Sequence, residues 1–461
     1  MTSPPDRRVT SRLDKQEVRA GLPLPPGPRG LRGVGVVPHL LRDIYGYLPK
    51  VARRYGDVVR LPVPGADLIL LNHPDHVNHV MSKHASRYWK GEMNQALLEG
   101  EHPGLPLSDG DTWKRMRRLL SPKFTEQSMS ELSTKVVDEI DRHLQRWDDA
   151  AAGNRAVALE DDLATMTLSV MLRGAMSIDI DDTTIDAAGE HLRRYGKYAA
   201  GRMLMYSVPN RVPRPFARSG HKSHQWLSDL FDRTVDERRT NPRSGSDLLS
   251  LLLDARYDDG EPMTPEELRG EMAGLVFGGF ETTASALAWT FTLLALNPEA
   301  ALRAYEEVDA LQGRRPTFTD LSQLTFLRAC FDESMRIQGG PLYARSPLVD
   351  DAIGGYRIPK GSTVIVSPTV LHQDRRFWID PERFNPDRFT TDKIDRNAFI
   401  PFNVGQRKCL GLRLAYMEGT FAIAAVLQRY RFRLPEGFEL RPAFRLSTGI
   451  KGGVDIWPTH R

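Results

Sequence analysis

The chain has 461 residues with Lys+Arg 63 against Asp+Glu 59, and the resulting net charge of +4 excludes the basic stripe or tail of a nucleic-acid binder. Hydrophobic residues make up 40% and charged residues 26%, a balance that supports a packed core and excludes disorder along the whole chain. Cys330 and Cys409 are the 2 cysteines, too few for a disulfide framework and in keeping with a reducing, cytoplasmic setting.

Residues 1–20 are polar and charged, with no apolar stretch for export, and the chain is expected to divide into a polar tail, 1–24, and one domain, 25–461. The proline-rich lead-in, 21–30, favours extended chain. Helical periodicity follows over 40–55, 113–120, 129–147, 163–176 and 227–239, and short extended segments over 57–63, 67–71, 363–366 and 430–434. No repeat or flexible linker divides the chain, so the expected fold class is mainly α with a minor β component, a single large domain with a long central helix.

That central helix announces its own ends. Thr264 is a good N-cap, Pro265 suits the first turn and Glu267 completes a capping box. The pattern then runs to Asn297-Pro298, about 32 residues or roughly 48 Å at 1.5 Å rise. Its apolar part is long enough for a membrane span, but Glu281 in the middle would cost about 2.5–3.5 kcal/mol there. A buried helix and no membrane anchor are expected.

Inside this helix lie Gly278 and Gly279, each costing about 1 kcal/mol relative to alanine. They serve either close packing of a neighbouring helix or space for a ligand. The pair Glu281-Thr282 favours the second, because a Thr hydroxyl can bond the carbonyl four residues back and loosen the turn, and an acid can deliver protons. Such a site suits a small ligand that is bound and protonated.

Near the C-terminus stands Phe402-Asn403-Val404-Gly405-Gln406-Arg407-Lys408-Cys409-Leu410-Gly411, followed by an apolar-periodic segment over 412–427. A lone cysteine is usually a small buried hydrophobe. Here a turn glycine, a cation at Arg407 and a helix start predict a thiol shifted toward thiolate, hence a metal ligand or a nucleophile. None of the 12 histidines can be assigned as base to a nucleophile, and a haem thiolate accounts for more of these residues.

With these residues in view, the sequence resembles the cytochromes P-450, a family of haem-thiolate monooxygenases, over about 25–456. Phe402 to Gly411 fits the family pattern FxxGxRxCxG at every fixed position, and Gly278 to Thr283 resembles its (A/G)GxxTT element. Glu333-Ser334-Met335-Arg336 matches ExxR, and Phe384-Asn385-Pro386-Asp387-Arg388-Phe389 looks like FxPERF with Asp387 in place of Glu.

The resemblance implies haem b ligated by Cys409, with Phe402 packed on the ligand loop, Gly411 closing it, and Gly278 and Gly279 beside bound O2. It implies haem-propionate contacts from Trp113, Arg117, Arg345 and Arg407, with His372 a weaker candidate. Glu333 and Arg336 would form a buried ion network with Arg388, preferred over Arg383. Glu281 and Thr282 would relay protons.

A substrate pocket is implied from Leu97, Leu98, Leu105, Met203, Met205, Leu275, Val276, Leu342, Tyr343 and Leu446. That apolar lining suits a terpenoid, polyketide or alkaloid of bacterial secondary metabolism, antibiotic biosynthesis included. The short stretch after Cys409 implies no fused reductase domain, so electrons would come from a separate ferredoxin and ferredoxin reductase. Docking would use Lys408 and Arg413 with Arg115 or Arg118.

After Arg336 the sequence departs from the family pattern, with Gly339 and Gly340 either opening room above the haem edge or admitting a different backbone path. Two other functions remain open: oxidative coupling or rearrangement without oxygen insertion, and a non-catalytic haem-binding sensor, against which the Glu281-Thr282 pair argues.

Overall fold

A computed structural model describes residues 21–98, 102–208, 212–242, 247–257, 260–391 and 394–461. The first twenty residues of the expected tail lie outside it, as do residues 209–211, which follow the expected pocket residues Met203 and Met205. The lead-in runs extended along a sheet: Arg357 N–H donates to the Pro23 carbonyl at 2.9 Å and Arg60 N–H to that of Pro26 at 2.8 Å.

Helices form most of the molecule. The central helix spans Pro265–Leu296, the bounds its capping signals predict, and both halves of the capping box are present. It runs through the largest hydrophobic core and packs on the helix Leu159–Ser169, where the Thr167 hydroxyl donates to the Phe280 carbonyl at 2.9 Å. The expected helix over 163–176 is instead an α-helix followed by a wider π-helical turn, Val170–Ala175. Two further helices matter for the site, Thr325–Gln338 and Leu412–Arg429. Among the described residues no helix is long and apolar enough to cross a membrane.

The minor β component is a five-stranded sheet in the order Val58–Val63, Ala66–Leu71, Thr363–Val366, Tyr343–Pro347, Tyr88–Trp89. Its second and third strands are parallel, with Leu68 opposite Thr363, and the other pairs are antiparallel. The sheet brings Arg345 and the chain just past Trp89 to one side of the helical core. A hairpin, Pro442–Phe444 with Thr448–Ile450, presents Arg445 to Ser447 at its turn.

Gly339 and Gly340 both take positive φ, +85° and +81°. A Cβ on Gly339 would stand 2.0 Å from Thr369 Oγ1. Of the two readings of these glycines, the altered backbone path therefore holds for Gly339, while Gly340 also borders the cavity described next.

Candidate active site

The loop before the helix Leu412–Arg429 is shaped by its own sequence. Gly405 has φ +71°, and a Cβ there would meet the Met81 carbonyl oxygen at 2.1 Å, so only glycine fits. Asn403, also at positive φ (+60°), accepts from Val404 N–H at 2.7 Å, and Cys409 N–H donates to the Phe402 carbonyl at 2.9 Å. The Tyr343 hydroxyl stitches the loop to the sheet: it donates to the Pro401 carbonyl at 2.8 Å and accepts from Asn403 N–H at 3.0 Å. Phe402 lies against Tyr416, ring centroids 5.1 Å apart.

The free thiol of Cys409 is enclosed by the protein, and its exposed surface opens into a cavity of about 360 Å³. Its titration departs from expectation. Burial pushes the thiol up, outweighing the Gly411 N–H, Arg117 and Lys408, which pull it down. Arg407, the cation singled out in the sequence, is committed elsewhere. A metal ion would have to draw off the proton itself, as coordinated thiols allow.

One edge of the cavity is strongly cationic. Arg407 pairs with Asp109 at 2.8 Å, donates to the Ser108 carbonyl, and stacks 3.9 Å from the Trp113 ring centroid. Arg117 donates to the Lys408 carbonyl at 3.0 Å. Arg345 is not itself on the described wall but is buried beside this edge, close enough to act on Lys90 and Asp109, and its Nη2 has no partner among the described residues. Lys90 lines the same space, and its backbone N–H donates to Asp109 Oδ2 at 2.8 Å. Burial first, then Arg345 and Arg407, push the Lys90 ammonium well down. Three cations thus share one carboxylate. Sequence reasoning missed Lys90 because nothing local distinguishes it from a surface lysine.

His372 does not join this edge. Its ring is buried, its Nε2 accepts from Ile400 N–H at 2.9 Å, and burial holds it neutral, down to about 3. It packs between Trp378 and Phe399, so its place is in the scaffold behind the cysteine loop. Beside it Arg336 makes two bonds to Glu333, at 2.6 and 2.8 Å, and one to the His372 carbonyl. Arg388 reaches Glu333 at 3.2 Å, whereas Arg383 offers this group only its carbonyl.

Another part of the lining is the central helix. A Cβ on Gly279 would lie 2.5 Å from Met171 Sδ, while one on Gly278 would meet nothing within 4 Å. Packing explains the first glycine and open space the second. The Thr282 hydroxyl donates to the Gly278 carbonyl at 2.8 Å, the expected back-bond. Glu281 is not on the cavity wall. Its carboxylate accepts from the Ser447 hydroxyl at 3.1 Å, and Ser447 does line the cavity. Burial pushes Glu281 up against the opposing pull of Ser447 and Arg445.

Of the expected substrate-pocket residues, Leu105, Leu275 and Tyr343 line the cavity. Leu97, Leu98, Val276, Leu342 and Leu446 are not on its described wall. Val276 is 1% exposed and faces the main core, because the helix turns it away from the side that carries Leu275. Leu97 and Leu342 pack against a second core around the sheet, and Leu446 against the main one. Arg115, one of the two alternatives named for docking, is half-buried, with its guanidinium 4.4 Å over the Tyr257 ring.

The residues fit an iron porphyrin: one cavity holds a sulfur, an open glycine and a hydroxyl, and it has an edge with an excess of cations, beside which the Arg345 guanidinium keeps an unpartnered nitrogen, for two propionates. Comparison with known proteins agrees. The sequence profile of the cytochrome P-450 family matches residues 25–451. The chain is 30% identical over 393 residues to the cyclooctat-9-en-7-ol 5-monooxygenase of Streptomyces melanosporofaciens, covering 84% of each. It is 29% identical to the cyclooctatin synthase of the same organism, over 85% of this chain and 86% of the relative. It is 26% identical to the pentalenene oxygenase of Streptomyces avermitilis, over 84% and 87%. Fold, cysteine loop and relatives together place the chain in the cytochrome P-450 family, as a monooxygenase whose cofactor is haem b.

Proposed function

We propose that the domain from residue 25 to 461 uses O2 and electrons from a separate ferredoxin and ferredoxin reductase to hydroxylate an apolar small molecule of secondary metabolism, a terpenoid before a polyketide or alkaloid. The single observation that carries this reading is the cavity itself, with Cys409, Gly278 and Thr282 on its lining. Two relatives whose names specify unsaturated carbocyclic substrates support the substrate class.

Bound haem supplies a reducible iron at which O2 can be activated. Cys409 would hold the iron, Lys90, Arg345, Arg407 and Trp113 the propionates, and Arg117 would brace the ligand loop through its bond to Lys408. Inserting one oxygen atom of O2 into a C–H bond consumes two electrons and two protons and yields water. Protons would come from Glu281, which holds its proton more tightly than an exposed carboxyl, through the Ser447 hydroxyl to the cavity. Thr282, bonded back to Gly278, presents its hydroxyl oxygen at the glycine that leaves open space. Apolar walls from Leu105, Pro106 and Leu275 would exclude water from the substrate.

Lys408, Arg413 and Arg118 are exposed and would form the docking face for an acidic ferredoxin. The deciding experiment is a ferrous carbon monoxide difference spectrum together with turnover under labelled O2. A thiolate-type spectrum and one labelled oxygen in the product are expected. A thiolate spectrum with unlabelled, coupled product would exclude hydroxylation, and absence of the thiolate signature would exclude the reading altogether.

A further inference from the structure

Two turns before Gly278 the central helix carries another acid, and this one, unlike Glu281, lines the cavity. Glu271 is 0% exposed, and its Oε2 accepts from Leu105 N–H at 2.9 Å. Its other oxygen, Oε1, has no partner among the described residues. Seven residues separate Glu271 from Gly278, so both lie on one helix face, about 10.5 Å apart along the axis. Both border the same cavity.

The arrangement is built. The loop carrying Leu105 lies close enough to the helix for its N–H to reach the carboxyl only because the contacts are glycines. A Cβ on Gly270 would stand 2.5 Å from the His102 carbonyl oxygen, and one on Gly274 would stand 2.8 Å from Pro106 Cδ. Among the described residues no cation answers Oε1. Arg115 is spread over Tyr257, and His102, which faces Glu267 at 4.0 Å, is pushed toward its neutral form by burial. Leaving a buried carboxyl oxygen unpaired costs about 1–3 kcal/mol. Around it the wall is apolar: Leu105, Pro106 and Leu275.

We propose that Glu271 is the polar anchor of the substrate, its Oε1 hydrogen-bonding the hydroxyl group of an otherwise hydrocarbon alcohol and setting which carbon lies near Gly278. This deepens the monooxygenase reading and rests on it for the position of the reacting end. A hydroxyl can donate to the carboxylate or accept from the acid, so it suits either state of the group, whereas a ketone or an amine suits only one. The substrate would then already bear one oxygen, supplied by an earlier hydroxylation or hydration, and the product would be a diol. The relative named for its action on cyclooctat-9-en-7-ol has such a substrate in its name.

The test titrates haem-loaded enzyme with three probes of one skeleton, adamantane, 1-adamantanol and 1-adamantylamine, following the haem spin state. Wild type is expected to bind the alcohol roughly 5–10-fold tighter than the hydrocarbon, the size of one net hydrogen bond. Glu271→Leu should bring the two within about 2-fold, and Glu271→Gln, which keeps a donor and an acceptor, should retain the preference. In wild type the infrared carbonyl band lost in E271Q should shift when the alcohol binds and stay put with the hydrocarbon, a readout that does not depend on the leucine variant folding. An alcohol preference equal in wild type and E271L overturns the proposal. So does tightest binding of the amine that vanishes in E271Q, or a failure of all three probes to bind. The carbon monoxide spectrum of the same samples reports separately on the haem-thiolate reading.

Discussion

Glu281 and Ser447 set the proton problem at the level of single side chains. The acid is visible in the sequence beside Thr282, but its carboxylate points to a hairpin turn 166 residues away, where the Ser447 hydroxyl donates to it at 3.1 Å. Ser447→Ala is expected to lower kcat by about 100-fold, the lower end for lost proton-transfer groups, with substrate binding unchanged and reducing equivalents diverted to peroxide. Equal kcat and equal coupling in the variant would mean that Glu281 reaches the cavity by another path. At Gly405 the expectation is harsher. Gly405→Ala combines positive φ with a 2.1 Å clash against the Met81 carbonyl, and should cost several kcal/mol, read as a lower Tm and poor haem loading. The motif pattern identifies Gly405, but the reason for it lies in residue 81 and becomes physical only when the chain is folded.

At the scale of the element, the central helix was the most legible part of the chain. Cap, first-turn proline and capping box are local interactions, so sequence suffices to place its ends at Pro265 and Leu296. The helix Asp182–Leu204 was not read from periodicity, since Gly189, Gly196 and Gly201 weaken it locally. Tertiary contact demands none of them strongly: a Cβ at Gly196 would make ordinary contact with Glu281 Oε2 at 3.5 Å, and one at Gly189 would stand 3.3 Å from the end of the flexible Arg193 side chain. The two central glycines separate cleanly by mutation. Gly278→Ala meets nothing within 4 Å and should raise the thermal stability of haem-free protein by up to about 1 kcal/mol while hindering ligand binding at the haem. Gly279→Ala must displace Met171 from 2.5 Å and should lower stability. Thermal unfolding of the two haem-free variants decides it, and the same sign for both would refute the division of roles.

Across the whole molecule, buried carboxyls tie stability to pH. Burial pushes Glu271 up to about 7, against the pull of the Leu105 N–H, and it also pushes Glu281 and Asp332 up. A carboxyl raised in the folded state binds its proton more tightly there than in the unfolded chain. Its stabilising contribution is therefore full below the unfolded value near 4.3 and is lost as pH rises through about 7. Haem-free protein should lose up to a few kcal/mol between pH 5 and pH 8 by this route, and Glu271→Gln should flatten that part of the profile. An unchanged slope in a chemical-denaturation series would show that the Glu271 carboxyl is not raised in the folded chain, being already ionised and paired there.

Sequence by itself determined what depends on neighbours along the chain: the helix caps, the four-part motif order that ends on the Cys409 loop, and the Thr282 back-bond to Gly278. Tertiary structure decided what depends on groups brought together from afar. It gathered Lys90, Arg345 and Arg407 around Asp109, took His372 out of the haem edge, turned Val276 from the cavity, and placed Glu271 on its wall with one oxygen unpaired. The division has a physical cause, because capping and back-bonding act within a helical turn, whereas burial and charge pairing exist only once the core has closed around them.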